Sequence, residues 1–387
     1  MCKRKLLLMH MTLLAAVVSA GAAGRSERSP AERIAAREFP SVFQAWSPLE
    51  NVPDVNFLEA VAKHDLAWSC IGLCGLRWDT QPYGLAEGFE PESIETARAV
   101  RRQLLKLNPN IILIAEIRYR DAHPTFLPEG HKWWMRDEQG QIVKGWGEGA
   151  YLQLDYKSRD YRRHVARRAR AVIGSGVADG ILLDWWIDDE HRLALVREVR
   201  AAIGDEPLIL VNSNDREAPK TGSYVNGFFM ECYRSKTVAH WQRIARTLAW
   251  AERHLRPPHV NCLEVWYHNS RRDFNLMRAV TTLALTHSDG YCLFSDPNPL
   301  PGPDHRHDWY PFWDKGLGKP LDQAVTRPDG ATMREFEHGT VVYNPMGNGT
   351  VEIVFDAPRT SRATGRFTAA HTVPGCDGDI YLRSVEP

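Results

Sequence analysis

An excess of charge of either sign is missing from this sequence. Its 48 Lys and Arg meet 48 Asp and Glu, a balance that points away from nucleic acid and anionic membrane surfaces as partners. Beyond the N-terminal segment no run of about 18 uninterrupted apolar residues occurs, so no later stretch is expected to span a bilayer. No Gly-rich phosphate loop follows the first strand-like run, and no Gly-x-Ser-x-Gly or Cys/His pairing marks an acyl-transfer enzyme. Cysteine is sparse, seven in 387 residues. Cys2 precedes an apolar segment, where a lipoprotein cysteine would not sit. Of Cys70, Cys74, Cys232, Cys262, Cys292 and Cys376, four lie in strand-like runs of a chain too long to need staples. That predicts buried thiols rather than a disulfide framework, with a Cys70–Cys74 link as the alternative.

What is present begins with an N-terminal targeting pattern. Lys3, Arg4 and Lys5 precede the largely apolar Leu6–Ala20, and "SAGAAG" supplies small residues for cleavage. This order reads as a secretory signal over 1–22 and predicts a secreted or periplasmic protein. A membrane anchor is the alternative, for which the apolar stretch is short. Residues 23–38, polar and charged, read as a flexible lead-in.

From Phe39 onward, short apolar or β-branched runs alternate with longer amphipathic stretches. The runs are "VFQAW" (42–46), "LAWSCIG" (66–72), "IILIAEIRY" (111–119), "GILLDWW" (180–186), "LILVNSN" (208–214), "GFFMECY" (227–233), "VNCLEVWY" (260–267) and "DGYCLFSD" (289–296). Several are apolar nearly throughout, as strands covered on both faces must be. Helices are predicted over 91–107, 158–172, 190–203, 236–255 and 273–286, with Gly or Pro at several of their ends. Eight such strands alternating with helices make the α/β pattern of a (β/α)8 TIM barrel over 39–321. Residues 131–156 read as a β-hairpin turning at "EQGQ" across the barrel mouth. After 322 the pattern changes to short alternating strands with Asn-Pro and Gly turns, "REFEHGTVVYNPMGNGTVEIVFD" and "GDIYLRSVE". These predict a small C-terminal antiparallel β-domain over 322–387.

In a TIM barrel the chemistry comes from the C-terminal ends of the strands, and a lone carboxylate in a β-run is costly unless paired or used. Glu116, Asp184, Glu231 and Glu264 end the third, fourth, sixth and seventh runs, and Asp296 closes the eighth. Alternation puts Leu182 with Asp184, Phe229 with Glu231 and Cys262 with Glu264, so an inward aim converges these carboxylates on one mouth. Paired carboxylates are what glycoside hydrolysis needs, one as proton donor and one as nucleophile or base. The alternative for each acid is an ion pair with a nearby Arg, such as Arg118, Arg120 or Arg234, or a helix cap.

Tryptophan is abundant, thirteen residues, and most of them, including Trp46, Trp185, Trp186 and Trp266, fall at or just after strand ends. An indole offers a flat apolar face to a sugar ring and an N–H at its rim, which predicts a carbohydrate substrate. Glu116, Arg118, Asp296 and His305 join these indoles as candidate substrate contacts. Asn212 and Asn214 end the fifth run, as hydroxyl contacts or as turn formers. Asp188, Asp189 and Glu190 read as the first turn of a helix rather than metal ligands. In "DHRHDWY" (304–310), His305 and His307 have a chelating spacing without a third ligand at a recognisable distance, so a substrate-contacting loop is expected and no metal or other cofactor.

The segments "DGILLDWW", "ILVNSN", "GFFMECY" and "REFEHGTVVYNP" resemble the secreted barrel proteins grouped as hypothetical glycosyl hydrolase family 15. More distantly the chain is similar to the endo-polygalactosaminidase and α-galactosidase groups of barrels. The resemblance covers most of residues 40–385. In the α-galactosidase-like barrels an Asp ending the fourth strand is the nucleophile and an acid ending the sixth is the acid/base. The resemblance therefore implies Asp184 and Glu231 in those roles, with Glu standing at the sixth position where that group has Asp. Another large barrel clan places a catalytic Glu on the seventh strand, which keeps Glu264 as the alternative nucleophile. The expectation is a secreted glycoside hydrolase. Its rivals are a non-catalytic carbohydrate-binding protein on the same barrel and a metal-dependent lyase or deacetylase.

Overall fold

The computed structural model describes residues 27–47, 49–51, 55–147, 149–297 and 305–384; the expected signal over 1–22 lies outside them. Eight parallel strands form one sheet in chain order: β1 (Phe43–Gln44), β2 (Leu66–Ala67), β3 (Ile112–Glu116), β4 (Gly180–Leu183), β5 (Leu208–Asn212), β6 (Gly227–Cys232), β7 (Cys262–Trp266) and β8 (Tyr291–Ser295). A parallel bridge between Val42 and Cys292 brings the last strand back to the first and closes the barrel. The strands are apolar on both sides because both sides are covered: every residue of β4, β5, β7 and β8 is buried. Glycine at the start of β6 is required by a neighbour, since a Cβ at Gly227 would sit 1.8 Å from the Val260 carbonyl oxygen.

Around the sheet lie α1 (Pro30–Ala36), α2 (Phe57–Ala62), α3 (Cys70–Cys74), α4 (Pro91–Leu107), α5 (Arg159–Gly174), α6 (Glu190–Ile203), α7 (Val238–His254) and α8 (Phe274–His287). Pro91 sits in the first turn of α4, where its missing N–H costs nothing. Asp189 caps α6 by accepting from the Arg192 N–H, and Glu190 stands in its first turn, so two of the three consecutive acids serve the helix start. Asp188 ties down the next loop by accepting from the N–H of Lys220 and of Thr221.

Two expectations are corrected. The supposed flexible lead-in contains α1, with Ser29 and Glu32 in a reciprocal capping box. Its Arg33 is fully buried and paired with Asp179 at the start of β4, a partner too distant in sequence to read. The second run is not a strand through Gly72: Ser69 takes a left-handed φ of 68° and turns the chain into α3. After β5 there is no α-helix among the described residues, only a 3-10 turn, Gly222–Tyr224.

The 131–156 segment does fold back on itself. Arg136 bridges Ile142 and Lys144 bridges Leu152, with Gly140 at φ 78° closing the turn. All six described cysteines are free thiols, five of them buried, so no Cys70–Cys74 link forms.

The C-terminal strands are β9 (Val325–Thr326), β10 (Thr332–Phe336), β11 (Gly339–Asn344), β12 (Val351–Ser361), β13 (Phe367–Val373) and β14 (Asp377–Leu382). They make one antiparallel sheet in the order β9-β10-β11-β14-β12-β13. The sheet packs on α8. Arg278 of that helix holds both oxygens of Asp377 at 2.7 Å, and Gly378 lies so close that a Cβ would sit 1.9 Å from Thr282 Oγ1.

Candidate active site at the barrel mouth

Strand register gathers the carboxylates. Glu231 on β6 and Glu264 on β7 are direct neighbours, while Asn212 ends β5 between the ends of β4 and β6. That position lets one side chain touch both flanking acids. Asn212 Nδ2 donates to Asp184 Oδ1 at 2.8 Å and to Glu231 Oε2 at 2.8 Å. Its Oδ1 accepts from the Asn214 N–H at 3.2 Å, which fixes the orientation of the amide. Two acceptors on one planar NH2 group at these distances lie about 5 Å apart. Both N–H groups of Asn212 are thereby committed to these two carboxylates. Asn214 takes a φ of 52° and donates to the Glu231 carbonyl, the turn role.

The two bridged acids are held above the ordinary carboxylate range. Burial pushes Asp184 up to about 6, aided by the negative Glu116 and opposed by Arg118 and the Asn212 bond. Burial pushes Glu231 further, to about 8; Glu264 and Asp184 add to the rise, against His305 and Asn212. Among the described residues neither acid is ion-paired with Lys or Arg.

Glu264 lies deeper and is completely buried. Its Oε1 accepts from the Ser295 hydroxyl and, at 2.8 Å, stands against His305 Nδ1, while its Oε2 has no partner among the described residues. His305, at φ 59°, places Nε2 3.8 Å from Glu231 Oε1 and its ring 4.8 Å from that of Trp46. Glu231, Glu264 and His305 offer ligand atoms within 4.8 Å of one another, a nitrogen and two oxygens of the kind zinc accepts. His307 does not join them. It is buried against His64 at 2.8 Å, and burial holds it down at about 4.

Glu116 completes the mouth on the β3 side, with Oε2 accepting from Trp46 Nε1 at 2.9 Å and Oε1 3.0 Å from Arg118 Nε. Beside it a cavity of about 410 Å³ opens over the ends of β1 to β3, lined by Gln44, Trp46, Trp68 and Glu116 together with α3.

The tryptophans divide. Trp185 is 44% exposed at φ 55°, with the Arg120 guanidinium 4.6 Å from its ring. Trp186 is fully buried and donates to Thr221 Oγ1 at 3.0 Å, so it presents no face to a ligand. Strand β4 ends at Leu183, and the left-handed Trp185 swings Trp186 into the core instead of continuing the alternation. Trp266 is nearly buried, its Nε1 without a partner among the described residues. Asp296 is also withdrawn from the site: Arg271 grips both its oxygens at 2.6 Å and reaches Asp308 at 3.2 Å, which anchors the following loop. Sequence reading missed Gln44 and Trp68. Their signals were a lone polar residue inside "VFQAW" and an indole inside "LAWSCIG".

No family model and no curated protein sequence matches the chain. Solved structures match its fold. A noncanonic maltogenic alpha-amylase AmyB from Thermotoga neapolitana aligns with TM-score 0.53 and 10% identity over 85% of this chain and 93% of its own. An alpha-amylase from Malbranchea cinnamomea aligns with TM-score 0.53 and 9% identity, covering 92% and 97%. A cyclic alpha-maltosyl-(1-->6)-maltose hydrolase from Arthrobacter globiformis aligns with TM-score 0.50 and 12% identity, covering 91% and 99%. At these identities the likeness is one of fold.

Proposed function

We propose that this protein is a secreted glycoside hydrolase in which Asp184 is the nucleophile and Glu231 the proton donor. The observation that carries the reading is the Asn212 amide, which holds one oxygen of each carboxylate at 2.8 Å. A separation of about 5 Å is that of retaining glycosidases, where the second carboxylate attacks the sugar directly. The two environments assign the roles. Near neutral pH a group held at about 8 keeps its proton and one held at about 6 has lost it, which is the division of labour that acid/base chemistry between two carboxylates requires.

Asp184 Oδ attacks the anomeric carbon while Glu231 gives its proton to the departing glycosidic oxygen. Glu231, now ionised, takes a proton from water, and that water cleaves the glycosyl–Asp184 ester. Asn212 holds both groups in place throughout. Glu264 lies below them, with one oxygen engaged by Ser295 and His305, which suits it to orienting His305 beside the donor rather than to attack. The fold likeness to amylases and to a cyclic alpha-maltosyl-(1-->6)-maltose hydrolase supports the same class of bond. The N-terminal segment supports export.

The test is a screen of the purified protein on polysaccharides and aryl glycosides, with Asp184→Asn alongside. Turnover that disappears in the variant is expected; equal turnover in both overturns the assignment. One observation favours a second reading: the Glu231–Glu264–His305 cluster has three convergent donors. Activity that is lost on chelation and restored by zinc would make the protein a metal-dependent lyase or deacetylase instead.

A further inference from the structure

The cavity over β1 to β3 adjoins the proposed catalytic pair without containing it. Glu116 belongs to both, lining the cavity and raising Asp184 by its charge. At about 410 Å³ the cavity has the size of a small-molecule site. Its lining is aromatic and polar in the way a sugar ring demands. Trp46 and the 52%-exposed Phe57 supply apolar faces. Gln44 and Trp68, at 3% and 0% exposure, carry an acceptor (Oε1) and a donor (Nε1) with no partner among the described residues. A buried polar atom without a partner costs about 1–3 kcal/mol, and a hydroxyl, which donates and accepts, satisfies both kinds.

Charge narrows the class further. Among the described residues the sole charged side chain lining the cavity is Glu116, and Arg118 stands 3.0 Å from it. An anionic sugar meets a carboxylate there, and a cationic amino sugar meets a carboxylate already neutralised.

We propose that this cavity is a binding subsite for one uncharged sugar ring, which makes the substrate a neutral saccharide rather than a uronic-acid or amino-sugar polymer. The link to turnover rests on the hydrolase reading above; the binding does not.

Gly72 of α3 provides the test. It lines the cavity, a Cβ there meets nothing within 4 Å, and its φ lies outside the left-handed region, so the backbone accepts a side chain and Gly72→Trp is the variant aimed at filling the space. Binding is measured in the Asp184→Asn background by saturation-transfer NMR and tryptophan fluorescence. The probes are methyl glucoside, galactoside and mannoside, with glucuronate and glucosamine as charged counterparts of the same size. Neutral glycosides are expected to bind at least about tenfold more tightly than either charged sugar and to lose about tenfold or more with Gly72→Trp. Phe57→Ala, which removes an exposed ring, is expected to weaken them severalfold; it serves as the readout if Gly72→Trp melts early. Neutral binding unchanged in both variants, or tighter binding of a charged sugar, overturns the proposal. A wild-type protein that binds neutral sugars at this site but hydrolyses no glycoside would refute the hydrolase reading and leave the subsite standing.

Discussion

The two ends of β4 carry aspartates that the fold treats in opposite ways. Asp179, at the N-terminal end, is held by the guanidiniums of Arg33 and Arg101 and by the Leu113 N–H at 2.8 Å. Asp184, at the C-terminal end, has the neutral Asn212 amide in their place and is held up at about 6. The first carboxylate is neutralised and ties α1 and α4 to the barrel floor. The second is left short of counter-charge beside Glu116 and Glu231. Both are withdrawn from bulk water, Asp179 fully and Asp184 in part, so the partner decides what each carboxylate is left to do. The division follows the barrel's own polarity, with stability at the bottom and chemistry at the top.

The same substitution at both ends is the sharpest way to break this comparison. Asp184→Asn is expected to lower kcat by ~10⁴-fold or more, with thermal melting close to that of wild type. Asp179→Asn leaves two buried guanidiniums facing a neutral side chain and is expected to cost ~3–5 kcal/mol in denaturant unfolding, with kcat per folded molecule unchanged. Comparable activity losses in the two would erase the distinction.

The proposed donor sharpens it through pH. Ionised Asp184 and protonated Glu231 require kcat/KM to rise through about pH 6 and fall above about pH 8. Glu231→Gln, tested on an aryl glycoside whose leaving group needs no proton, is expected to remove the upper limb. Because Glu231 is raised in the folded state, its contribution to stability is complete below its unfolded value near 4.5 and is lost as pH rises through about 8. The Tm of Glu231→Gln should therefore gain on that of wild type as pH rises from about 4.5 to about 8. The smallest effect is expected at the exposed Trp185: alanine there should change stability by ~0.5 kcal/mol or less while raising KM severalfold, whereas Trp186→Ala should cost ~3–5 kcal/mol. Reversed outcomes for these two indoles would contradict their placement.

The barrel was legible because its strands are covered on both faces and must be apolar throughout, and α4 and α6 because proline and aspartate mark their starts. The acids at strand ends were legible for the complementary reason: nothing apolar explains a carboxylate there. What the sequence concealed was conformational or remote. Of six non-glycine residues at positive φ among the described residues, Ser69, Trp185, Asn214 and His305 all sit at the mouth. Such strain gathers where a site is being shaped, yet none of these residue types announces it except Asn214. Trp186 read as a mouth indole, and the left-handed Trp185 turns it into the core. Asp296 looked like a fifth mouth acid because the arrival of Arg271 from the loop after β7 has no local signal. Arg33 likewise reads as a solvated charge until Asp179 is brought to it.

Helix α8 shows what the C-terminal sheet is for. Ten of its fourteen residues are buried, and in the unbroken run from Ala279 to Thr286 every one is, so no stripe remains that water is meant to touch. One side rests on the barrel and the other is roofed by the sheet, through Arg278–Asp377 and the close approach of Gly378. A barrel cut away from its last sixty or so residues would carry a greasy rod on its surface. The sheet is therefore a missing outer layer supplied in cis, and the unit that expression, truncation or domain grafting must respect is barrel and sheet together.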